Sequence, residues 1–200
     1  ARSIKFNGSQ DYSIILKNVK EAALQSITGP GASISSQETT LIVSNSKFEG
    51  KKPSLVIESS KLTLSGTSFH EMQAPSLVSK KSGVLMKECT FESNQCLSVY
   101  FIETRGIIEK TNFLSNGSIS IDAHQSSTLT ISNCSFEGNN QTAIQLRGFS
   151  TLKIDNSKFV QNANGLIADT GTDTTVAGCR FEGNGMHAEL KSRASIDKTN

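Results

Sequence analysis

The chain has 200 residues, 20 Lys+Arg against 18 Asp+Glu and no Trp, which is one domain's worth of nearly neutral polypeptide. Hydrophobic residues supply 36%, while Ser (30), Thr (17), Asn (14) and Gly (15) account for 76 positions, a composition that excludes a Leu-rich helix bundle and disfavours a doubly wound α/β enzyme. A net charge of +2 also excludes nucleic acid as the main partner, because phosphate binding wants a clustered basic footprint.

Residues 1–40 are the least regular part and read as N-terminal rungs or a cap. "SIILKNVKEAALQSI" is expected to be a repeat with a helical turn inserted, followed by a long loop, "TGPGASISS", carrying Pro30. The chain opens on Ala1 with no apolar leader in its first residues, and its last repeat is cut where Ile196 stands five before the place of a next Phe. It therefore reads as an excerpt of a longer chain, in which a missing targeting signal carries no weight.

From residue 41 to 200 a repeat dominates. Phe48, Phe69, Phe91, Phe113, Phe136, Phe159 and Phe181 follow one another at 21 to 23 residues, with Phe6 an outlier. Seven residues before each Phe stand Leu41, Leu62, Val84, Gly106, Leu129, Leu152 and Thr174; five before stand Val43, Leu64, Met86, Ile108, Ile131, Ile154 and Val176. Such alternation marks a short strand with one face buried. Two before each Phe the residue is always small, from Ser46 and Thr67 through Cys89, Thr111, Cys134 and Ser157 to Cys179, which is the signature of an interior stack at a corner.

After each Phe come a polar turn and a second short apolar stretch, such as "SLVIE" or "AIQLRG". In five successive repeats the third residue after the Phe is Asn: Asn94, Asn116, Asn139, Asn162 and Asn184. These are expected in left-handed turn positions, each amide bonding its own loop. Two strands and two turns packed into about 22 residues describe one rung of a coil that cannot bury its apolar side chains alone, so rungs must stack and identical positions form ladders. The fold expected is all-β: a right-handed parallel β-helix of seven regular rungs, a rod on the order of 35 Å long at the parallel-strand spacing of about 4.8 Å. A leucine-rich horseshoe fits less well, since polar Ser59, Lys81 and Ser126 occupy its upstream Leu position and its Asn column never holds Asn.

Cys89, Cys134 and Cys179 share one column two rungs apart, about 9.6 Å from the strand spacing, which is too far for a disulfide. Four free thiols are expected, with these three buried and inert. His70, His124 and His187 lie more than two rungs from one another and form no joint metal site, and no nucleotide, acyl-hydrolase or calcium-repeat motif occurs. No cofactor and no metal is expected. Asp169 and Asp173 in "ADTGTD" read as turn chemistry. The sequons at Asn7, Asn116, Asn133 and Asn140 imply glycosylation only in a eukaryotic secretory source.

The nearest approach to a site is His124, Arg147, Asp169 and Lys191, recurring at 23, 22 and 22 residues at the end of the second strand, with Tyr100 one rung earlier. In one column, alternating charges would form cross-strand ion pairs on a soluble wall, and these five residues are the candidate binding surface. Over roughly residues 90–184 the run "FESN", "FLSN", "FEGN", "FVQN", "FEGN" resembles the F-x-x-N repeats of chlamydial-type polymorphic membrane proteins, surface autotransporters with β-helical adhesin passengers. The G-G-A-[ILV] tetrapeptide of that family is absent, "QTAI" and "NGLI" being the closest approaches. Regular polar walls, no catalytic cluster and a near-neutral charge read as a non-enzymatic segment of a cell-surface or secreted protein that presents stacked walls to a protein or glycan partner, and the resemblance implies adhesion as its role. Two alternatives stand beside it. One is a carbohydrate-active enzyme with its groove centred on His124, Arg147, Asp169 and Lys191, and the other is a scaffold domain of a larger regulatory protein.

Overall fold

The computed structural model describes residues 13–197, and among these every regular element is a strand: 26 of them, with no helix. They fall into three parallel sheets of nine, nine and eight strands, and each sheet pairs every third strand in sequence order. Eight rungs therefore contribute one strand to each of three walls, and a ninth contributes Met186–Leu190 and Arg193–Asp197 to the first two. A full rung thus holds three strands where two were expected: the short segment around each Phe pairs as a wall of its own. A representative rung is Leu77–Lys80 in wall one, Gly83–Lys87 in wall two and Thr90–Glu92 in wall three. Within a wall every neighbour is parallel and in register, as in Leu77↔Val99, Val84↔Gly106 and Phe91↔Phe113.

The alternation of the sequence sets which face is buried. In Gly83–Lys87, Val84 and Met86 point inward and Leu85 outward; in Leu77–Lys80, Leu77 and Ser79 point inward. The seven Phe rings of wall three stack in one file, with centroids 4.6–5.1 Å apart and planes within 12° of parallel. Such stacking stabilises the file beyond the area each ring buries. The core is one narrow column running the length of the solenoid, and no side chain in it needs to reach far.

All three corners carry a polar ladder. At the corner between walls two and three, the small column runs as expected: Ser46 Oγ accepts from Ile27 N (3.1 Å), Thr111 Oγ1 from Cys89 N (3.4 Å), and Ser157 Oγ from Cys134 N (3.1 Å). The corner between walls one and two carries a second hydroxyl ladder that the sequence reading did not isolate, in Thr39, Ser60, Ser82, Thr104, Ser127, Ser150 and Thr172, all buried. Ser60 Oγ accepts from Thr39 N at 3.0 Å, Ser82 Oγ from Ser60 N at 3.1 Å and Ser150 Oγ from Ser127 N at 3.2 Å, so these hydroxyls satisfy amides of the previous rung.

At the third corner the Asn ladder differs from expectation. The left-handed residue is the one before each Asn (Ser93, Ser115, Gly138, Gln161, Gly183), and the amides bond neighbouring rungs instead of their own loop. Asn139 Oδ1 accepts from Asn116 N (3.0 Å) while Asn139 Nδ2 donates to Phe113 O (3.1 Å), and Asn116, Asn162 and Asn184 repeat the pattern. Both of these bonds reach the preceding rung, and Nδ2 also donates to the Oδ1 of the next Asn (Asn116 to Asn139, 2.9 Å; Asn139 to Asn162, 2.6 Å), so one buried amide ties its rung to both neighbours, which neither Ser nor Asp can do alone.

The segment up to residue 40 also departs from expectation. In place of a helical turn and a long loop it forms strands Ser13–Lys17, Ala22–Gln25, Thr28–Pro30 and Ser33–Gln37, joined to the following rungs in register. The rungs are tighter here: Ser13 pairs with Ser33 and Thr28 with Lys47, 20 and 19 residues on. Shorter turns had hidden the repeat. Residues 1–12, including Phe6 and the sequon at Asn7, lie outside the described residues. All four cysteines are free, with Cys89, Cys134 and Cys179 buried. Among the described residues, no helix is long and apolar enough to cross a membrane.

Candidate functional site

His124, Arg147, Asp169 and Lys191 do share one column, at the edge of wall one. Arg147 N donates to Ala123 O (2.9 Å), Asp169 N to Leu146 O (3.0 Å) and Lys191 N to Ala168 O (2.9 Å), which continues the sheet register one residue past its last strand pairs. Tyr100 stands outward on the strand Val99–Ile102, whose Ile102 pairs with His124.

The side chains do not form a simple alternating ladder. Lys191 Nζ lies 3.9 Å from Asp169 Oδ1 and 3.2 Å from Glu189 Oε1, but Arg147 turns away from Asp169 and holds Asp122 instead, through both Nε and Nη2. Asp122 is the residue that the sequence reading missed. It occupies the outward position of its strand, paired with Tyr100 on one side and Gln145 on the other, yet its side chain is only 5% exposed because the Arg147 guanidinium covers it. A two-point Arg–carboxylate contact fixes both groups, so the guanidinium is held at the wall with N–H donors to spare. The signal available was alternation: Asp122 falls where "SISID" and its neighbours place outward residues.

His124 pairs with Tyr100: Nε2 and the phenol oxygen are 2.6 Å apart, and the rings sit 4.9 Å apart, tilted by 43°. Both side chains are half-buried. Tyr100, Asp122, His124 and Arg147 thus make one contiguous patch over three rungs, containing an aromatic face, a hydroxyl, an imidazole and a fixed guanidinium. A patch of this kind can hydrogen-bond hydroxyl-rich ligands in several directions while offering them an apolar face. Among the described residues no cluster of three or more His, Cys, Asp or Glu could hold a metal ion.

One local feature sets these rungs apart. From Lys80 to Val84 and from Ile102 to Gly106 the corner after wall one takes four steps; from His124 to Leu129, Arg147 to Leu152 and Asp169 to Thr174 it takes five. Each longer turn is closed by a hydroxyl bonding back three residues: Ser127 Oγ to His124 O (2.8 Å), Ser150 Oγ to Arg147 O (2.7 Å) and Thr172 Oγ1 to Asp169 O (2.6 Å). In solenoids, such insertions map to loops on one face, which is often the binding face. At lower rungs of the same corner lies a shallow groove of about 510 Å³ lined by Lys20, Glu38, Ser59, Lys61 and Lys81 among others. Its mixed charges converge on no common point, and it does not reach the Tyr100 patch.

Of the remaining motifs, the sequon at Asn116 is unavailable, because that side chain is fully buried with Nδ2 committed to Phe91 O (3.1 Å) and Asn139 Oδ1 (2.9 Å). Asn133 and Asn140 are exposed. Asp169 anchors its turn through its carbonyl and pairs with Lys191; Asp173 sits at the start of a wall-two strand.

Three stacked parallel walls closed by corner ladders define a parallel β-solenoid. The chain belongs to the family described as "Right handed beta helix region", whose pattern matches residues 30–181. No match to a curated protein sequence is found. Among solved structures the chain is similar to the catalytic domain of a GH87 α-1,3-glucanase in complex with nigerose (7% identity, 99% of this chain and 64% of that chain, TM-score 0.32). It is also similar to tailspike protein 3 of bacteriophage CBA120 (10%, 99% and 51%, 0.32) and to the periplasmic alginate epimerase AlgG (11%, 99% and 76%, 0.27). The chain thus spans just under two thirds of the glucanase domain and about half of the tailspike.

Proposed function

We propose that this chain is a non-enzymatic β-helix segment of a surface or secreted protein, of the adhesin kind, and that it binds a glycan along the edge of wall one. The observation that carries the reading is the patch in which Tyr100 and His124 meet at 2.6 Å beside an Arg147 guanidinium fixed on Asp122. A polysaccharide lying along the solenoid axis would advance about one hexose per rung, since the rise of a rung, about 4.8 Å, is close to the length of one sugar unit. From Tyr100 through Lys191 it would meet donors and acceptors in turn: a phenol and an imidazole, then the Arg147 guanidinium, the Asp169 carboxylate and the Lys191 ammonium. Opposite charges balance along this edge, which favours neutral or weakly charged sugars over strongly anionic polymers.

Binding of the purified chain to an array of neutral and acidic oligosaccharides tests this. Retention of specific members is expected, and their loss in the charge-neutralised pair Asp122→Asn/Arg147→Gln, which keeps a hydrogen bond at the buried position, would assign the patch. Absence of binding to every member would refute the reading.

A second reading rests on the same contact. A phenol and an imidazole at 2.6 Å could serve as general base and general acid on a bound chain, one taking the proton α to a uronate carboxyl and the other giving a proton to the departing glycosidic oxygen, as a polysaccharide lyase requires. Incubation with polysaccharides, watching for new reducing or unsaturated ends, separates the two: binding without product supports the adhesin, product formation the enzyme.

A further inference from the structure

Phe149 is placed against every preference of the fold. It occupies the third position of the four-residue turn Arg147–Ser150, at φ +61° directly after Gly148 at φ +59°. Two successive left-handed residues are the geometry for which Gly, Asn and Asp are selected, and a bulky side chain there is strained by roughly 1–2 kcal/mol. Burial does not offset that strain, because the residue is 77% exposed. Among the described residues the other large exposed hydrophobics are Ile15 and Ile196, which belong to the first strand of wall one and the last of wall two; Phe149 alone stands mid-solenoid. Its counterparts in the adjoining turns are Ser126 and Gly171, both small, and a Cβ on Gly171 would come within 3.0 Å of the ring. The ring thus leans one edge over Gly171 and leaves most of its surface exposed, in the middle one of the three lengthened turns.

We propose that Phe149 is an aromatic platform on which a hexopyranose ring of the bound glycan stacks. The proposal rests on the glycan reading above and adds a sugar-ring subsite at the corner next to the Tyr100 patch. The size of the apolar surface decides the occupant. A protein interface needs on the order of 1,000 Å² with an apolar centre of several side chains, and one ring rimmed by polar groups does not provide it. One ring is, however, the size of a pyranose C–H face. The rim suits such a ligand, since Gln125, Ser126 and Asp169 carry hydrogen-bonding side chains and Arg147 keeps N–H donors beyond those bound to Asp122.

Three proteins test it: the unaltered chain, Phe149→Gly, and Phe149→Trp, which introduces the sequence's sole Trp. Each is titrated with the tightest-binding member of the oligosaccharide array, and thermal melting is recorded in parallel. Phe149→Gly is expected to weaken binding about tenfold, the worth of one good stacking contact, while melting stays the same or moves up because Gly relieves the left-handed strain. Phe149→Trp is expected to keep binding and to shift its emission on saturation. Unchanged affinity in Phe149→Gly, or weakened affinity together with a lowered melting temperature, overturns the platform while leaving the glycan reading in place. Failure of the unaltered chain to bind any array member overturns both.

Discussion

Phe101 fills the space that Gly106 leaves empty. A Cβ on Gly106 would stand 2.9 Å from Phe101 Cε2 and 2.8 Å from Leu129 Cδ2, so the large inward residue of wall one and the missing side chain of wall two are one packing solution within a rung. Gly106→Ala is therefore expected to overpack the core and cost about 1–3 kcal/mol, seen as a lowered denaturation midpoint. Phe101→Leu in the same chain should recover part of that loss, and a double-mutant cycle should show coupling of roughly 1 kcal/mol or more. Strictly additive effects would mean that the two positions relax independently.

That pair also shows how the sequence can and cannot be read. The columns seven, five and two before each Phe, the Phe file and the choice of a parallel coil all follow from a period of 22, because stacked rungs force identical positions into contact. Gly106 in an otherwise apolar column looks like a defect from the sequence, since its compensation, Phe101, comes from a different wall. Asp122 escaped for the same reason: its partner Arg147 is 25 residues away in a diagonal contact that no single column displays. The Asn column was visible, but its purpose was not, because an amide that bonds the rungs above and below looks in one dimension like an amide that caps its own turn.

The Asn ladder should be cooperative. Asn139→Ala removes the donors to Phe113 O and Asn162 Oδ1 and strands the buried Asn116 N. Leaving such groups unsatisfied costs about 1–3 kcal/mol each, so melting should fall by on the order of 10 °C. Hydrogen exchange should show amides of the two flanking rungs opening together, in line with nearest-neighbour coupling in solenoids.

The buried thiols give the fold an alkaline limit. Burial pushes Cys89 and Cys134 up to about 11 from 9.0, and raises Cys179 too. Between pH 9 and 11 the unfolded chain releases these protons while the folded chain keeps them, so stability is fully present below pH 9 and is lost as pH rises. For Cys89 or Cys134 the loss approaches roughly 3 kcal/mol by pH 11. Urea midpoints at pH 8, 9.5 and 10.5 should fall in that order, and Cys89→Ser/Cys134→Ser should flatten the drop. In the native state at pH 8 a bulky thiol reagent should titrate one group, Cys96, and four after denaturation.

The claim that wall one is the glycan-binding face is tested most directly by calorimetric titration of the best array ligand into two double variants. Tyr100→Ala/His124→Ala removes the contact at 2.6 Å on wall one, and Thr130→Ala/Lys153→Ala alters outward positions of wall two on neighbouring rungs. Affinity is expected to fall at least about tenfold in the first and to stay within about twofold of the unaltered chain in the second. Equal affinities in both, or a loss confined to wall two, would contradict the assignment.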